Sequence, residues 1–502
     1  MSNQARYRLG FIFLLALLLV SQLSLASQRS FWEDEAATAR LAALSAPEII
    51  VERANNNHPP LYWLLVGLWG RFFGQDELGL RTFSILSLVG VLGLIYTLAG
   101  SLYSPRAGWL AGLLLVASPY VLTYGHNARY YAFAAALSLL ALLAAYRYLE
   151  EHSVWALVVY MLAGTALIYT IYMGGTILVG INLWMLVETI RRKRSFRQYI
   201  VWLSIQVLVL LSYLPWLGYL SGVVGRNLDP AYSLAGLPSA ITLRLGYLGF
   251  AYCVGEFFSP FHPLVWLGIL VSLLLLISAV RRLDAITSLL VSVLVVAVLT
   301  SVIVSSLSVF PQSAWQNLSN RTFFVYPCFI LLLAAGLDRL RVRRLQVGLA
   351  LLLVVYLVGG VNVFTGRQAV KPLLIVPWVQ VMEKIQIESR PGAIVFCSHF
   401  DTVCPYYVDR FGLPRASLGG WEQVLASQPP EVWWLQNNIG GYDYDRALEE
   451  AAFQALQAAY PQVKRLDYGA QDASIRSIKA RWLGQEDYPY RLNVYHFSTA
   501  VP

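Results

Sequence analysis

The chain has 502 residues, 57% of them hydrophobic and only 13% charged, with a net charge of +9. A soluble domain carries about 25% charged residues, so these proportions exclude a soluble globular protein and place most of the chain in lipid. The basic excess (37 Lys and Arg against 28 Asp and Glu) comes without a readable nucleic-acid motif; it excludes DNA or RNA binding and fits basic cytoplasmic loops. Four cysteines without a C-x-x-C spacing argue against a zinc or redox motif.

Arg6 and Arg8 precede an apolar run from Gly10 to about Ala26, long enough to cross a bilayer. Ser24-Leu25-Ala26 loosely resembles a signal-peptidase site, but the run exceeds a typical signal core and reads as a retained span. Either way, residue 27 onward emerges outside. The first outer loop, 27–78, carries three adjacent carboxylates, Glu33, Asp34 and Glu35, in a chain poor in acids. Within it, Leu61 to Phe73 opens behind Pro59-Pro60 and carries Tyr62, Trp63 and Trp69. As a helix it reaches only about 20 Å, too short for a hydrocarbon core of about 30 Å, so it is expected to lie in the interface.

Spanning candidates follow at 79–102, 107–124, 130–149, 154–172, 173–190, 198–216, 264–280, 285–306, 321–337 and 345–364. With the first run these make eleven spans, with thirteen allowed. From a cytoplasmic N-terminus, Arg106, Arg147, the Arg191-Arg192-Lys193-Arg194 cluster, Arg281-Arg282 and Arg339 to Arg344 all fall inside. The apolar segment 238–258 contains Arg244 and Glu256, and spanning alone breaks this parity; it is expected to be interfacial or re-entrant. The first 365 residues thus read as a transmembrane domain.

Residues 366–502 regain ordinary polarity and read as a small α/β domain on the extracytoplasmic side. Ala393 to Cys397, Glu431 to Leu435, Val463 to Tyr468 and Leu492 to Phe497 have strand patterns, and Asp445 to Tyr460 is an amphipathic helix. Cys397 and Cys404 are placed either to pair in an oxidising compartment or to stay as two buried thiols.

Glu33, Asp34 and Glu35 admit two readings. Asp34 before an Ala-rich helix looks like an N-cap with acids in the first turn. The other reading is catalytic, and it needs cations on the same side. Arg81, Arg129 and Arg321 each open an outer helix end. Each could simply snorkel to the headgroups; together they suit the phosphate of a lipid-linked substrate. His58 and His126 are further polar groups on that side. Asp34, Glu35 and His58 lack a metal-ligand spacing.

These residues resemble a known family. An acid pair after the first span, then His58-Pro59-Pro60-Leu61-Tyr62-Trp63, then Leu80-Arg81-Thr82-Phe83-Ser84 entering the second span, resembles the GT-C glycosyltransferases. Ala128-Arg129-Tyr130-Tyr131-Ala132 and the stretch from Arg321-Thr322-Phe323 onward are similar to further elements of the same branch. That branch holds protein O-mannosyltransferases, lipid A aminoarabinose transferases and related polyprenol-phosphate-sugar transferases. The resemblance covers most of residues 5–365 and implies a GT-C-like polytopic helical fold in the cell membrane. It implies an inverting transfer of a sugar from polyprenyl phosphate to an acceptor hydroxyl on a lipid, glycan or protein. No metal or other cofactor is implied. Asp34 would be the general base with Glu35 in support, while Glu33, His58, Arg81, His126, Arg129, Tyr130 and Arg321 would bind substrate. The triplet leaves the register open, so Glu33 or Glu35 could hold the base position.

Two rivals remain. A lipid-linked glycan ligase or polymerase tends to carry its functional loop late in the chain. A flippase or secondary transporter is expected to bury charges within its spans or to show two similar halves.

Overall fold

The computed structural model describes residues 3–56, 58–193, 196–224, 237–307, 317–397, 402–437, 446–469, 473, 475–477 and 492–499. Arg194 of the basic cluster and Asp445 lie outside the described residues. The chain divides into two compact units, Met1–Ser27 with Leu41–Thr365, and Gln28–Arg40 with Gly366–Pro502.

The first unit is helical. Its elements begin with α1 (Asn3–Gln28), and α2 (Glu33–Ala42) lies across the division of the chain. Then come α3 (Ala46–Asn55), α4 (Leu61–Phe73), α5 (Glu77–Leu102), α6 (Pro105–Ala117), α7 (Pro119–Tyr124), α8 (Tyr131–Glu151) and α9 (Val154–Ile168). The series ends with α10 (Gly175–Arg191), α11 (Phe196–Val224), α12 (Leu237–Val254), α13 (Pro263–Val280), α14 (Ala285–Leu307), α15 (Asn317–Arg321), α16 (Tyr326–Asp338) and α17 (Val342–Thr365).

Eight helices among the described residues are long and apolar enough to cross a membrane, and four more apolar helices are shorter. The protein is a multi-pass membrane protein of this helical class. Large apolar side chains exposed along α11 (Leu210, Leu211, Leu214) and α13 (Leu270, Leu273, Leu274) would be intolerable in water and are at home in hydrocarbon.

Helix starts follow local chemistry. Asp76 accepts from the Gly79 amide at 2.7 Å, and Ser104 accepts from the Ala107 amide at 3.0 Å ahead of Pro105. Two expected spans are interrupted. The run 107–124 breaks at Ser118, which is extended and caps a new start at Pro119; proline disfavours α conformation in the residue before it and supplies no N–H. The run 321–337 is interrupted between Arg321 and Tyr326 by a short 3₁₀ turn, Phe323–Val325.

Helix α16 is the axis of this unit, buried from Tyr326 to Leu337 and packed by α5, α6, α13, α14 and α17. Gly336 allows a close approach of α13, since a Cβ there would lie 2.1 Å from the Leu275 carbonyl oxygen. Polar clamps tie the helix ends. Asp338 accepts from Arg106 at 2.7 Å and Ser104 at 2.8 Å, while Arg339 donates to Asp284 at 2.9 Å.

The second unit is a five-stranded sheet with helices. Its strands are β1 (Ile394–Cys397), β2 (Arg415–Ala416), β3 (Glu431–Asn437), β4 (Gln462–Tyr468) and β5 (Leu492–Ser498), in the order β2-β1-β3-β5-β4. Strands β1, β2 and β3 run parallel, and β5 is antiparallel to both β3 and β4. Helices α18 (Trp378–Glu388), α19 (Val403–Arg410), α20 (Trp421–Ser427) and α21 (Arg446–Ala459) complete it. Ala452 and Leu456 of α21 are fully buried in one cluster with Phe396, Val432, Trp434 and Phe497. Cys397 and Cys404 form a disulfide.

Candidate active site

In the helical unit, the sequence-selected residues meet around His58. The His58 amide donates to the Arg53 carbonyl at 2.9 Å, and Pro59 and Pro60 then start α4, whose Trp63 lies 5.5 Å from the imidazole ring. Trp63 is fully buried and carries two guanidinium groups, Arg53 at 5.0 Å and Arg129 at 5.6 Å from the ring centroid. Arg129 also lies 5.3 Å from the Tyr130 ring, and Tyr62, Trp63, Tyr130 and Tyr131 form a continuous aromatic wall. Each cation–π contact is worth about 0.5–2 kcal/mol, which offsets part of the repulsion between two arginines sharing one ring.

The electrostatics of His58 report the charge of this place. Burial first, and then the guanidinium charges of Arg129, Arg53 and Arg321, pull its pKa down to about 3. His58 is therefore a neutral imidazole near neutral pH, with an N–H to donate but no charge of its own. The buried Trp63 Nε1–H has no hydrogen-bond partner among the described residues. A cluster of guanidinium groups, a neutral imidazole and aromatic faces has the chemistry to hold an anion attached to an apolar or sugar-like group.

Two other selected residues brace the scaffold. Arg81 is 1% exposed and donates to the Ala26 carbonyl at the end of α1 at 2.8 Å. His126 is buried with Nδ1 3.2 Å from Gln22 Oε1, again on α1. Arg53 went unnoticed in the sequence because it reads as an ordinary charge on a surface helix. Gln22 was likewise hidden inside an apolar run.

The carboxylates belong to the other unit. Residues 28–40, read from the sequence as part of the first outer loop, are stitched to the C-terminal sheet unit. The Phe31 amide donates to the Tyr407 hydroxyl at 2.6 Å, Val379 N–H donates to Ser30 Oγ at 3.0 Å, and Thr402 Oγ1 donates to the Glu33 carbonyl at 3.2 Å. The Ala36 amide donates to the Trp32 carbonyl at 2.9 Å, so the helix starts before Asp34, and Asp34 sits within its first turn instead of capping it. Glu35 is fully buried, its Oε2 turned back 3.5 Å from the Trp32 amide in the manner of a capping box. Glu33 Oε1 lies 3.5 Å from Asn437 Nδ2 at the end of β3. Glu33 and Asp34 are both part-exposed. Among the described residues, no three His, Cys, Asp or Glu side chains gather as a metal-binding set.

Comparison with known proteins bears on this arrangement. Residues 57–219 match the family model described as dolichyl-phosphate-mannose-protein mannosyltransferase. That segment contains His58, Arg81, His126, Arg129 and Tyr130, but neither the acid triplet nor Arg321. No curated protein sequence matches the chain. The apo crystal structure of ArnT from Cupriavidus metallidurans superposes with a TM-score of 0.58 at 14% identity, covering 100% of both chains. The same protein bound to undecaprenyl phosphate gives a TM-score of 0.57 at 14% identity, again covering 100% of both. Shared fold and matched segment agree with the resemblance seen in the motifs: the chain has the fold of ArnT and, over residues 57–219, is similar to the dolichyl-phosphate-mannose-protein mannosyltransferase family.

Proposed function

We propose that the protein transfers a sugar from a polyprenyl-phosphate carrier to an acceptor hydroxyl, with inversion at the anomeric carbon, on the outer face of the cell membrane. The observation that carries this reading is the convergence of Arg53, Arg129 and Arg321 on a neutral His58 beside an aromatic wall. Guanidinium groups bind phosphate through planar, charge-assisted hydrogen bonds. An ArnT of the same fold binds undecaprenyl phosphate.

In the reaction the bond between the anomeric carbon and the phosphate oxygen breaks while the acceptor oxygen bonds to that carbon from the opposite face. The electron pair leaves with the phosphate, whose charge grows toward the transition state, where the arginines act most strongly. The anomeric carbon becomes oxocarbenium-like, and the aromatic wall keeps that step away from water. Neutral His58 offers a hydrogen bond from its N–H. The acceptor proton passes to a carboxylate of the acid segment. Asp34 is assigned that role, because Glu35 is fully buried against the Trp32 amide and Glu33 is turned toward Asn437. Acceptors consistent with this chemistry are lipids, glycans and protein hydroxyls.

The test is single-turnover release of free polyprenyl phosphate from a set of polyprenyl-phosphate sugars by the protein in nanodiscs. Release with at least one sugar donor, and its loss in Arg129→Ala, supports the reading. Binding of no such lipid refutes it.

A further inference from the structure

Glu256, which follows α12 and is 1% exposed, is a second acidic centre that the proposed chemistry does not use. Its carboxylate is met by hydroxyls from three helices. Tyr124 at the end of α7 donates to Oε2; Tyr247 of α12 donates to Oε1, and so does Ser319 of α15, at 2.7 Å. A carboxylate offers about four lone-pair sites on two oxygens, which is why one side chain can receive all three donors. Burying it is unfavourable unless such donors meet it.

Two of the donors are close in the chain to arginines of the anion site. Tyr124 stands five residues before Arg129, and Ser319 stands two before Arg321. The turn carrying Arg321 is pinned at neighbouring positions as well. Tyr120 donates to the Ser319 carbonyl, Asn320 Nδ2 donates to the Tyr131 hydroxyl at 2.9 Å, and Tyr252 donates to the Thr322 carbonyl at 2.8 Å. Gly255 brings the Glu256 backbone onto the start of α7. It has φ +81°, and a Cβ there would lie 2.8 Å from Pro119 Cβ and 3.1 Å from the Tyr120 amide nitrogen.

We propose that Glu256 is a positioning residue for the anion site, gathering through Tyr124 and Ser319 the two turns from which Arg129 and Arg321 act beside His58. The proposal rests on the reading of that site as the holder of the lipid phosphate. Glu256 itself touches no reacting atom. Glutamine in its place keeps the volume but halves the acceptor oxygens and presents an NH₂ group to hydroxyls that already donate, so Glu256→Gln loosens the Arg321 turn.

The experiment uses the full chain in nanodiscs, with hydrogen exchange of the peptide covering 317–325 and the affinity for undecaprenyl phosphate as readouts. Glu256→Gln is expected to speed exchange in that peptide and to weaken undecaprenyl phosphate about tenfold. In an Arg321→Ala background the same change adds clearly less than its full tenfold, because the part that acts through Arg321 is already lost and only the part through Arg129 remains. Ser319→Ala removes one donor only and gives the same pattern more weakly, which keeps the test open if Glu256→Gln does not fold. Unchanged exchange, or losses that multiply in the double variant, would overturn the proposal. Faster exchange in Glu256→Gln, with a wild type that binds no undecaprenyl phosphate, would instead sink the phosphate reading and leave the clamp standing.

Discussion

The backbone amide of Phe31 donates to the hydroxyl of Tyr407 at 2.6 Å, joining positions 376 residues apart. Through this bond, the segment with Glu33, Asp34 and Glu35 is anchored in the C-terminal α/β unit. Tyr407→Phe leaves the buried Phe31 amide without its acceptor, at a cost of about 1–3 kcal/mol. The expected outcome is turnover at least tenfold lower with unchanged affinity for undecaprenyl phosphate. Wild-type turnover in this variant would detach the anchoring of the segment from catalysis.

Arg129 lies over both Trp63 and Tyr130. Lysine keeps the charge there but loses the planar fork and most of the ring contact. Arg129→Lys is therefore expected to weaken undecaprenyl phosphate by roughly tenfold, about 1.4 kcal/mol, and Arg129→Ala by more. Titration of the lipid against protein in nanodiscs measures this. Lysine equal to arginine would mean that charge alone matters.

His58 gives the protein a pH signature. Its pKa in the fold is about 3, below the ordinary 6.5. Between these values the unfolded chain binds a proton that the folded protein does not. Stability is therefore complete above about pH 6.5 and falls as pH drops toward 3, by at most about 1.4 kcal/mol per pH unit. Thermal midpoints measured from pH 4 to 8 are expected to show this slope, and His58→Gln to remove part of it. An identical slope in the variant would place the titration elsewhere.

Cys397 and Cys404 close a loop of a few residues beside β1. The chain-entropy estimate for so short a loop is about 2–3 kcal/mol. Reduction, or the double change to serine, is expected to lower the unfolding midpoint of the C-terminal unit while donor binding in the helical unit is unchanged. A loss of donor binding on reduction alone would show that the phosphate site depends on the disulfide.

Much of this was legible in the sequence, for definite reasons. Apolar runs and basic loops mark helices because lipid leaves few alternatives, and four of the five strands are marked, two as short apolar runs and two by alternation. Strand β2 was missed because two residues carry no period. The break at Ser118-Pro119 is a local signal, overlooked under an apolar run. His58, Arg129 and Arg321 could be singled out by residue type and position, but the part of Arg53 depends on Trp63 bringing two guanidinium groups to one ring. Glu256 was legible only as an obstacle to spanning; its meaning lies in Tyr124, Tyr247 and Ser319, up to 132 residues away. The attachment of residues 28–40 to the C-terminal unit rests on long-range hydrogen bonds that no local pattern encodes.

The role of Asp34 as general base is decided by sugar transfer from purified polyprenyl-phosphate sugars, comparing wild type with Asp34→Asn in the same nanodiscs. The variant is expected to fold, to bind undecaprenyl phosphate like the wild type and to transfer sugar at least about a hundredfold more slowly, in line with loss of a general base. An Asp34→Asn protein that transfers sugar at the wild-type rate would contradict the proposed mechanism.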